Sequence, residues 1–127
     1  AYTSYSDVRL LPNTYATGGT TVMQNGVDIL DLAGPTGSFD VFSLVVPTGT
    51  DSLVVDLNAT GDVDLYLDLG RIPTLNNYQC ASFTPTGSER CVILAPTAGT
   101  WTVRIDAYAS YSAGTLRGTY FSPAAAR

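Results

Sequence analysis

A strict alternation of apolar and polar side chains over residues 62–69 is the feature that most limits how this chain folds. The apolar members are Val63, Leu65, Leu67 and Leu69, and the polar members are Asp62, Asp64, Tyr66 and Asp68. Successive side chains of a β-strand point to opposite faces, so a period of two over this length is typical of a strand with one buried and one solvated face. The sequence therefore predicts such a strand here.

Similar strand-like runs recur along the chain, with turn residues between them. They occupy residues 39–46, 52–57, 91–94, 101–108 and 115–121. Gly, Pro, Thr and Ser occur every few residues and break any helical periodicity. Many short strands separated by turns predict an all-β, single-domain fold, an antiparallel β-sandwich that is jelly-roll-like, and an immunoglobulin-like sandwich fits the same pattern. Trp101 shares a face with Val103 and Ile105 and is predicted to lie in the core.

Three connections between these strands are predicted from their polar composition. Residues 58–61 are predicted to form a turn, and a loop rich in Ser, Gly and Ala is predicted just before residue 115. A long polar loop begins at Arg71, and Glu89 and Arg90 are interpreted as part of its solvated tip.

The chain has 127 residues, of which 45% are hydrophobic, and this is enough for one domain with its own core. Residues 23–121 are predicted to form the domain, residues 1–22 a linker or an extra N-terminal strand, and residues 122–127 a tail. The sequence starts with Ala and shows no signal peptide, so we expect it to be a processed part of a longer precursor. No run approaches the roughly 20 apolar residues of a membrane helix.

The charge and the residue types exclude several functions. The net charge is −5 and all six basic residues are Arg, which argues against nucleic acids and anionic membranes as partners. Histidine is absent, so Ser-His-Asp and Cys-His catalysis are excluded within this chain, and the usual ligands of a catalytic zinc are missing.

The two cysteines, Cys80 and Cys91, are either free thiols or a disulfide. Their polar setting between two strand-like runs favours the disulfide, and a disulfide implies an oxidising compartment. Closing a loop of this size would stabilise the fold by about 3 kcal/mol on the chain-entropy model.

Six short motifs occur in a fixed order along the chain. They are Gly61-Asp62-Val63-Asp64-Leu65-Tyr66-Leu67, Ile72-Pro73-Thr74, Tyr78-Gln79-Cys80, Glu89-Arg90-Cys91, Pro96-Thr97-Ala98-Gly99-Thr100-Trp101, and the segment from Ala107 to Gly114. Over about residues 23–120 the sequence thereby resembles the bacterial pre-peptidase C-terminal domain family. It departs from the family pattern at Ala107, where Gly is usual, and at Leu67, where Val is usual.

The resemblance implies a β-sandwich appended to secreted bacterial peptidases, and sometimes to chitinases and other polymer-degrading enzymes. We therefore expect a non-catalytic accessory domain of a secreted bacterial hydrolase, with a peptidase as the expected parent. Its role would be to assist secretion or folding, or to hold the enzyme on an insoluble protein or polysaccharide. The expected partner is the parent catalytic domain, the expected state is a monomer, and the expected location is extracellular, after passage through the periplasm. A carbohydrate-binding module and a structural or adhesive surface domain are the alternatives.

A candidate binding face follows from the alternation in two strands. Its members are Asp64, Tyr66, Asp68, Arg104, Asp106, Tyr108 and Tyr111. Tyrosine offers a flat apolar surface with a hydrogen-bonding tip, which suits a platform for a peptide or a glycan. The simpler interpretation is an ordinary solvated sheet face, on which Arg104 reaches Asp64 or Asp68 if the two strands are neighbours. Tyr108 and Tyr111 either form a rim for a ligand or close one end of the sandwich.

The carboxylates have three competing interpretations. Asp62 and Asp64 resemble a catalytic pair only through their spacing, which alternation alone explains, and Asp62 is better interpreted as a turn residue beside Gly61. We expect no cofactor. Calcium is the alternative, because it prefers six to eight oxygen ligands. Its candidate ligands are Asp28, Asp31, Asp62, Asp64 and Asp68.

Overall fold

The computed structural model describes residues 20–122, which form nine β-strands. The strands are β1 (Thr20–Val22), β2 (Ile29–Gly34), β3 (Phe39–Val46), β4 (Ser52–Thr60), β5 (Val63–Leu69), β6 (Cys80–Ser82), β7 (Ser88–Leu94), β8 (Gly99–Ala107) and β9 (Tyr111–Phe121). Within these residues, no helix has the length and apolar character needed to span a membrane.

The strands form two sheets that pack face to face. The five-stranded sheet has the order β1-β3-β8-β5-β6, and the four-stranded sheet has the order β2-β9-β4-β7. Only β1 and β3 pair in parallel among the described strands; all other pairs are antiparallel. The predicted all-β antiparallel sandwich is therefore confirmed.

The core lies between the two sheets and takes alternate side chains from both. The largest fully buried members include Trp101, Leu53, Leu57, Leu65, Leu67 and Ile105. Burying a side chain of this size stabilises the fold by about 1.5–3 kcal/mol. Trp101 is 1% exposed, as predicted, and its Nε1 donates a hydrogen bond to the carbonyl oxygen of Thr97 at 2.9 Å. A buried indole needs such an acceptor, so the turn before β8 and the core fix each other.

Some strand boundaries differ from the predictions. The predicted strand at residues 39–46 is confirmed as β3, whereas β4 continues through most of the predicted turn at 58–61. The predicted loop rich in Ser, Gly and Ala is shorter than expected, because residues 108–110 connect β8 to β9 and β9 begins at Tyr111. Ala113 has a φ of 54°, and the pairing of β9 with β4 shifts register after Asn58. These features form a β-bulge, which accommodates residues typical of loops without ending the strand. Sequence reasoning also missed β2, whose register shifts break the alternation.

The N-terminal segment contributes one short strand to the described structure. β1 pairs with β3, from Thr20 opposite Val41 to Val22 opposite Ser43. The remainder of the predicted N-terminal segment, residues 1–19, and residues 123–127 of the predicted tail lie outside the described residues.

The predicted Cys80–Cys91 disulfide is confirmed, and it joins the two sheets. Cys80 lies in β6, the edge strand of the five-stranded sheet, and Cys91 lies in β7, the edge strand of the four-stranded sheet. Their Cα atoms are 6.0 Å apart. The bridge therefore closes one side of the sandwich, where no backbone ladder links the sheets.

Replacing both cysteines, as Cys80→Ala with Cys91→Ala, is expected to lower the free energy of unfolding by about 3 kcal/mol, because the unfolded chain regains the entropy of an open loop. Urea denaturation measures the change, and the unsubstituted protein in a reductant is the matched control. A loss below about 1 kcal/mol in both samples would contradict the stabilising role of the bridge.

Candidate functional site

The loop between β5 and β6, residues 70–79, folds over the outer face of the five-stranded sheet. Arg104 on β8 donates a hydrogen bond from Nη1 to the carbonyl oxygen of Pro73 at 3.2 Å. Arg71 donates from Nε to Asp68 Oδ2 at 2.6 Å. As a result Tyr66 is 6% exposed and Asp68 is 2% exposed. The prediction that these two side chains face solvent is wrong, because strand periodicity does not register a loop that covers the sheet.

Asp68 holds this covering loop in place. Its carboxylate also accepts a hydrogen bond from the Leu69 amide at 2.9 Å. Burial alone would raise the pKa of Asp68, but the hydrogen bonds from Arg71 and Leu69 outweigh it and hold the pKa below its usual value. The geometry makes Asp68 a structural carboxylate rather than part of an exposed binding face.

Arg104 does not reach across to Asp64 or Asp68, although β5 and β8 are neighbours as the prediction required. It forms an ion pair with Asp106 on its own strand, with Nε 2.6 Å from Oδ1. Its guanidinium carbon lies 4.2 Å from the centroid of the Phe39 ring. Asp106 is two residues along the same strand face, so it is the nearest available carboxylate.

The two tyrosines after β8 have different positions. Tyr111 is 5% exposed and packs in the core, with its hydroxyl donating to Asp40 Oδ2 at 3.2 Å. Burial raises the pKa of Asp40. Tyr108 is 74% exposed. Of the two alternatives for this pair, Tyr111 closes the end of the sandwich, and Tyr108 remains available to a ligand.

An open groove of about 550 Å³ lies beside β5, between the covering loop and the β6–β7 connection. We call it the aromatic groove. It is lined by Asp62, Asp64, Tyr66, Leu75, Tyr78, Phe83, Thr84, Pro85 and Tyr108. Three residues of the predicted face, Asp64, Tyr66 and Tyr108, thus line one site. Asp68, Arg104, Asp106 and Tyr111 do not line it.

Aromatic rings form the floor and the walls of this groove. The Tyr66 and Tyr78 ring centroids are 5.5 Å apart with planes inclined by 60°, and those of Tyr66 and Phe83 are 6.3 Å apart with planes inclined by 29°. Tyr66 is buried, whereas Tyr78 is 38% exposed and Phe83 is 59% exposed. Sequence reasoning missed Tyr78 and Phe83. Both flank Cys80, and recognising β6 as a strand paired with β5 would have brought them beside Tyr66.

Glu89 fixes the connection that carries Phe83, Thr84 and Pro85. Its carboxylate accepts hydrogen bonds from the Ser82 hydroxyl, from the Thr84 amide at 3.1 Å and from the Thr84 hydroxyl at 2.9 Å. Glu89 is 4% exposed, so its interpretation as part of a solvated tip is wrong.

Arg90, the other residue of the predicted tip, lies in β7 as well. It forms an exposed ion pair with Asp56 on β4, with Nε 2.6 Å from Oδ1. Alternation within β7 therefore separates the two side chains, since Glu89 turns inward and Arg90 turns outward.

One end of the aromatic groove is acidic. Asp62 Oδ1 is buried and lacks a hydrogen-bond partner, and no other buried side-chain nitrogen or oxygen of residues 20–122 shares this condition. Burial, and then the neighbouring charges of Asp62, Glu89 and Asp106, together raise the pKa of Asp64 to about 6. Burial, and then the charge of Asp64, also raises the pKa of Tyr66.

The aspartates named as calcium ligands do not converge on one point. Asp28 pairs with Arg117 at 2.9 Å, and Asp68 pairs with Arg71. Across the described part of the chain, no group of three or more His, Cys, Asp or Glu side chains is arranged to hold a metal ion. Calcium stays the alternative to the expected absence of a cofactor.

Known proteins similar to this chain are bacterial proteases and a solved domain. The chain is 32% identical over 98 residues to alkaline serine exoprotease A of Vibrio alginolyticus, covering 77% of this chain and 18% of that protein. It is 42% identical over 57 residues to an extracellular protease of Xanthomonas campestris, covering 45% of this chain and 10% of that protein. The solution structure named vEP C-ter 100 superposes with a TM-score of 0.64 at 31% identity, covering 76% of this chain and 96% of that one.

These comparisons define the chain's class and then its family. The chain spans less than a fifth of the length of either protease. It is a β-sandwich accessory domain rather than an enzyme, and one of the proteins that it resembles is named an extracellular protease. The sequence model of the bacterial pre-peptidase C-terminal domain family matches residues 38–107, more than half of the sequence. The chain therefore belongs to that family.

Glu89→Ala is expected to lower the free energy of unfolding by about 2 kcal/mol or more, because a hydrogen bond to a charged group contributes about 1.5–3 kcal/mol and the Ser82 hydroxyl, the Thr84 amide and the Thr84 hydroxyl all lose their acceptor. Urea denaturation measures this. Asp51→Ala, an exposed carboxylate at the opposite end of β4, is the control. A loss of stability no larger than that of the control would contradict the stabilising role of the Glu89 hydrogen bonds.

Asp64 is expected to make the fold less stable as pH rises from about 4 to about 6, because its pKa of about 6 in the folded chain exceeds the ordinary value of 3.8. The folded state binds the proton more tightly, so the stabilisation is present at low pH and is lost through pH 6. Asp64→Asn removes this slope. Denaturation across pH 4–8 measures it, with Asp51→Asn as the control. Identical slopes for the two variants would contradict the assignment.

Proposed function

We propose that this domain binds a segment of polypeptide in the aromatic groove and thereby holds its parent protease on insoluble protein substrates. The main support for the proposal is the cluster of aromatic rings that line the groove. Tyr66 forms the floor, and the exposed rings of Tyr78, Phe83 and Tyr108 surround it. Aromatic side chains supply large contact areas at little cost in conformational entropy, and they are enriched at protein interfaces.

The size and rigidity of the groove support this role. Its volume of about 550 Å³ lies within the range of about 300–1,000 Å³ that is usual for ligand sites. Both of its walls are fixed in the folded chain, one by the Asp68 contacts with the covering loop and the other by the Glu89 contacts with Thr84. A preformed site loses less entropy when it binds an extended segment.

The ring geometry favours a polypeptide over a flat run of sugars. The two ring pairs at the groove are inclined by 60° and 29°, so they do not form the coplanar row expected of a carbohydrate-binding module. We extend the proposal to a monomer that passes through the periplasm and acts beside its parent catalytic domain outside the cell.

A pull-down of this chain on collagen, casein aggregates, chitin and cellulose tests the proposal. We expect retention on the protein polymers, lost in Tyr108→Ala and Phe83→Ala because each removes an exposed wall of the groove. Thermal melting should be unchanged in Tyr108→Ala, whose ring is 74% exposed. Tyr66→Ala is less informative, since Tyr66 is buried and its loss also removes packing.

Phe121→Ala is the matched control, because this ring is 49% exposed on β9, in the other sheet. Retention of all variants alike would contradict a role for the groove. Retention on chitin or cellulose alone would favour the carbohydrate-binding module instead. No retention on any polymer would contradict the proposal and leave the secretion and folding role, measured by deleting the domain from its parent.

A further inference from the structure

We infer that the aromatic groove selects a positively charged side chain, lysine or arginine, in the polypeptide that it binds. The inference rests on the proposed function and adds the class of residue that is recognised. It follows from three features: uncompensated carboxylates at one end, a buried carboxylate oxygen without a partner, and aromatic walls suited to a long side chain.

No cation of the described chain compensates the groove carboxylates, Asp62 and Asp64. Residues 20–122 contain four basic side chains, all Arg, and each forms an ion pair elsewhere. The pairs are Arg71 with Asp68, Arg90 with Asp56, Arg104 with Asp106, and Arg117 with Asp28. Glu89, whose charge also acts on Asp64, accepts hydrogen bonds from neutral donors only. The groove is therefore negative at the end where Asp62 and Asp64 lie.

Asp62 lines the groove, and its Oδ1 atom is buried without a hydrogen-bond partner. A buried acceptor without a partner costs about 1–3 kcal/mol, and more when it is charged. A cationic donor from a ligand supplies both the hydrogen bond and the opposite charge, whereas a neutral apolar side chain supplies neither. An acidic side chain is repelled by Asp62 and Asp64.

The walls suit the remainder of a basic side chain. Lysine and arginine carry apolar methylene stems below a charged head, and such stems pack well along apolar surfaces. Tyr78, Phe83 and Tyr108 line the same groove as Asp62 and Asp64, and a cation over an aromatic face gains about 0.5–2 kcal/mol. The groove is thus complementary to an amphipathic, cationic side chain along its whole length.

Protons compete with such a ligand at Asp64. The charged groups that act on Asp64 are Asp62 beside it, Glu89 from β7 and Asp106 from β8. Asp64 in turn acts on the hydroxyl of Tyr66, which Arg104 from β8 and Tyr78 from the covering loop also influence. Burial and the neighbouring carboxylates raise the pKa of Asp64 to about 6. Binding of a cation is therefore weaker below this pH and stronger above it.

Titration of the whole chain with small amides, followed by ¹⁵N–¹H NMR, tests the inference. The probes are Nα-acetyl-lysine amide and Nα-acetyl-arginine amide, with neutral Nα-acetyl-norleucine amide and Nα-acetyl-citrulline amide as matched controls. At pH 7.5 we expect shifts at groove residues and a Kd about tenfold tighter for the cationic probes. The same cationic probes should bind several-fold more weakly at pH 5. Equal affinity for cationic and neutral probes would overturn the inference.

Variants separate this inference from the proposed function. Asp62→Asn with Asp64→Asn should abolish the preference for cationic probes, while Asp51→Asn leaves it unchanged. If this double variant is still retained on protein polymers and Phe83→Ala is not, the groove binds polypeptide without charge selection. The inference is then wrong, whereas the proposed function stands.

Discussion

The Cys80–Cys91 bridge is the constraint on which the groove depends. It joins β6 and β7, the edge strands of the two sheets, and the connection between these strands carries Phe83, Thr84 and Pro85. Without the bridge, β6 would be held to the sandwich mainly by three paired residues on β5. A single covalent link thus closes the open side of the sandwich and fixes the end points of one groove wall. The wall's own conformation is then set by the hydrogen bonds to Glu89.

Buried carboxylates have two different roles in this small domain. Asp68 and Glu89 are each surrounded by donors, from Arg71 and Leu69 in one case and from Ser82 and Thr84 in the other. Each therefore ties a loop to the sheet. Asp62 and Asp64 lie close to them but have no cation, and one Asp62 oxygen has no partner at all. An uncompensated, partly buried charge is costly, so its presence beside exposed aromatic rings supports the proposed binding site.

The sequence was sufficient for the features that follow strand periodicity. The alternation in β5, the burial of Trp101 and the pairing of the cysteines were all predicted, because each depends on residue type and local spacing. The outer face was not predicted correctly. Burial of Tyr66 and Asp68 depends on the path of residues 70–79, and a polar loop gives no periodic signal of the surface that it covers. Tyr78 and Phe83 were missed for the same reason, since they lie outside the short strand β6, one on each side of it.

The groove explains how a domain this small could act on an insoluble substrate. One side chain held by a few rings and two carboxylates binds weakly by itself. A tethered module needs no more, because linkage to a parent enzyme turns the second contact into an intramolecular event with a high effective concentration. A polymer of protein presents basic side chains repeatedly, so weak and reversible contacts keep an enzyme near its substrate while allowing it to move. On the proposed function, tight binding would be a disadvantage, and an open, partly solvated groove is the appropriate geometry.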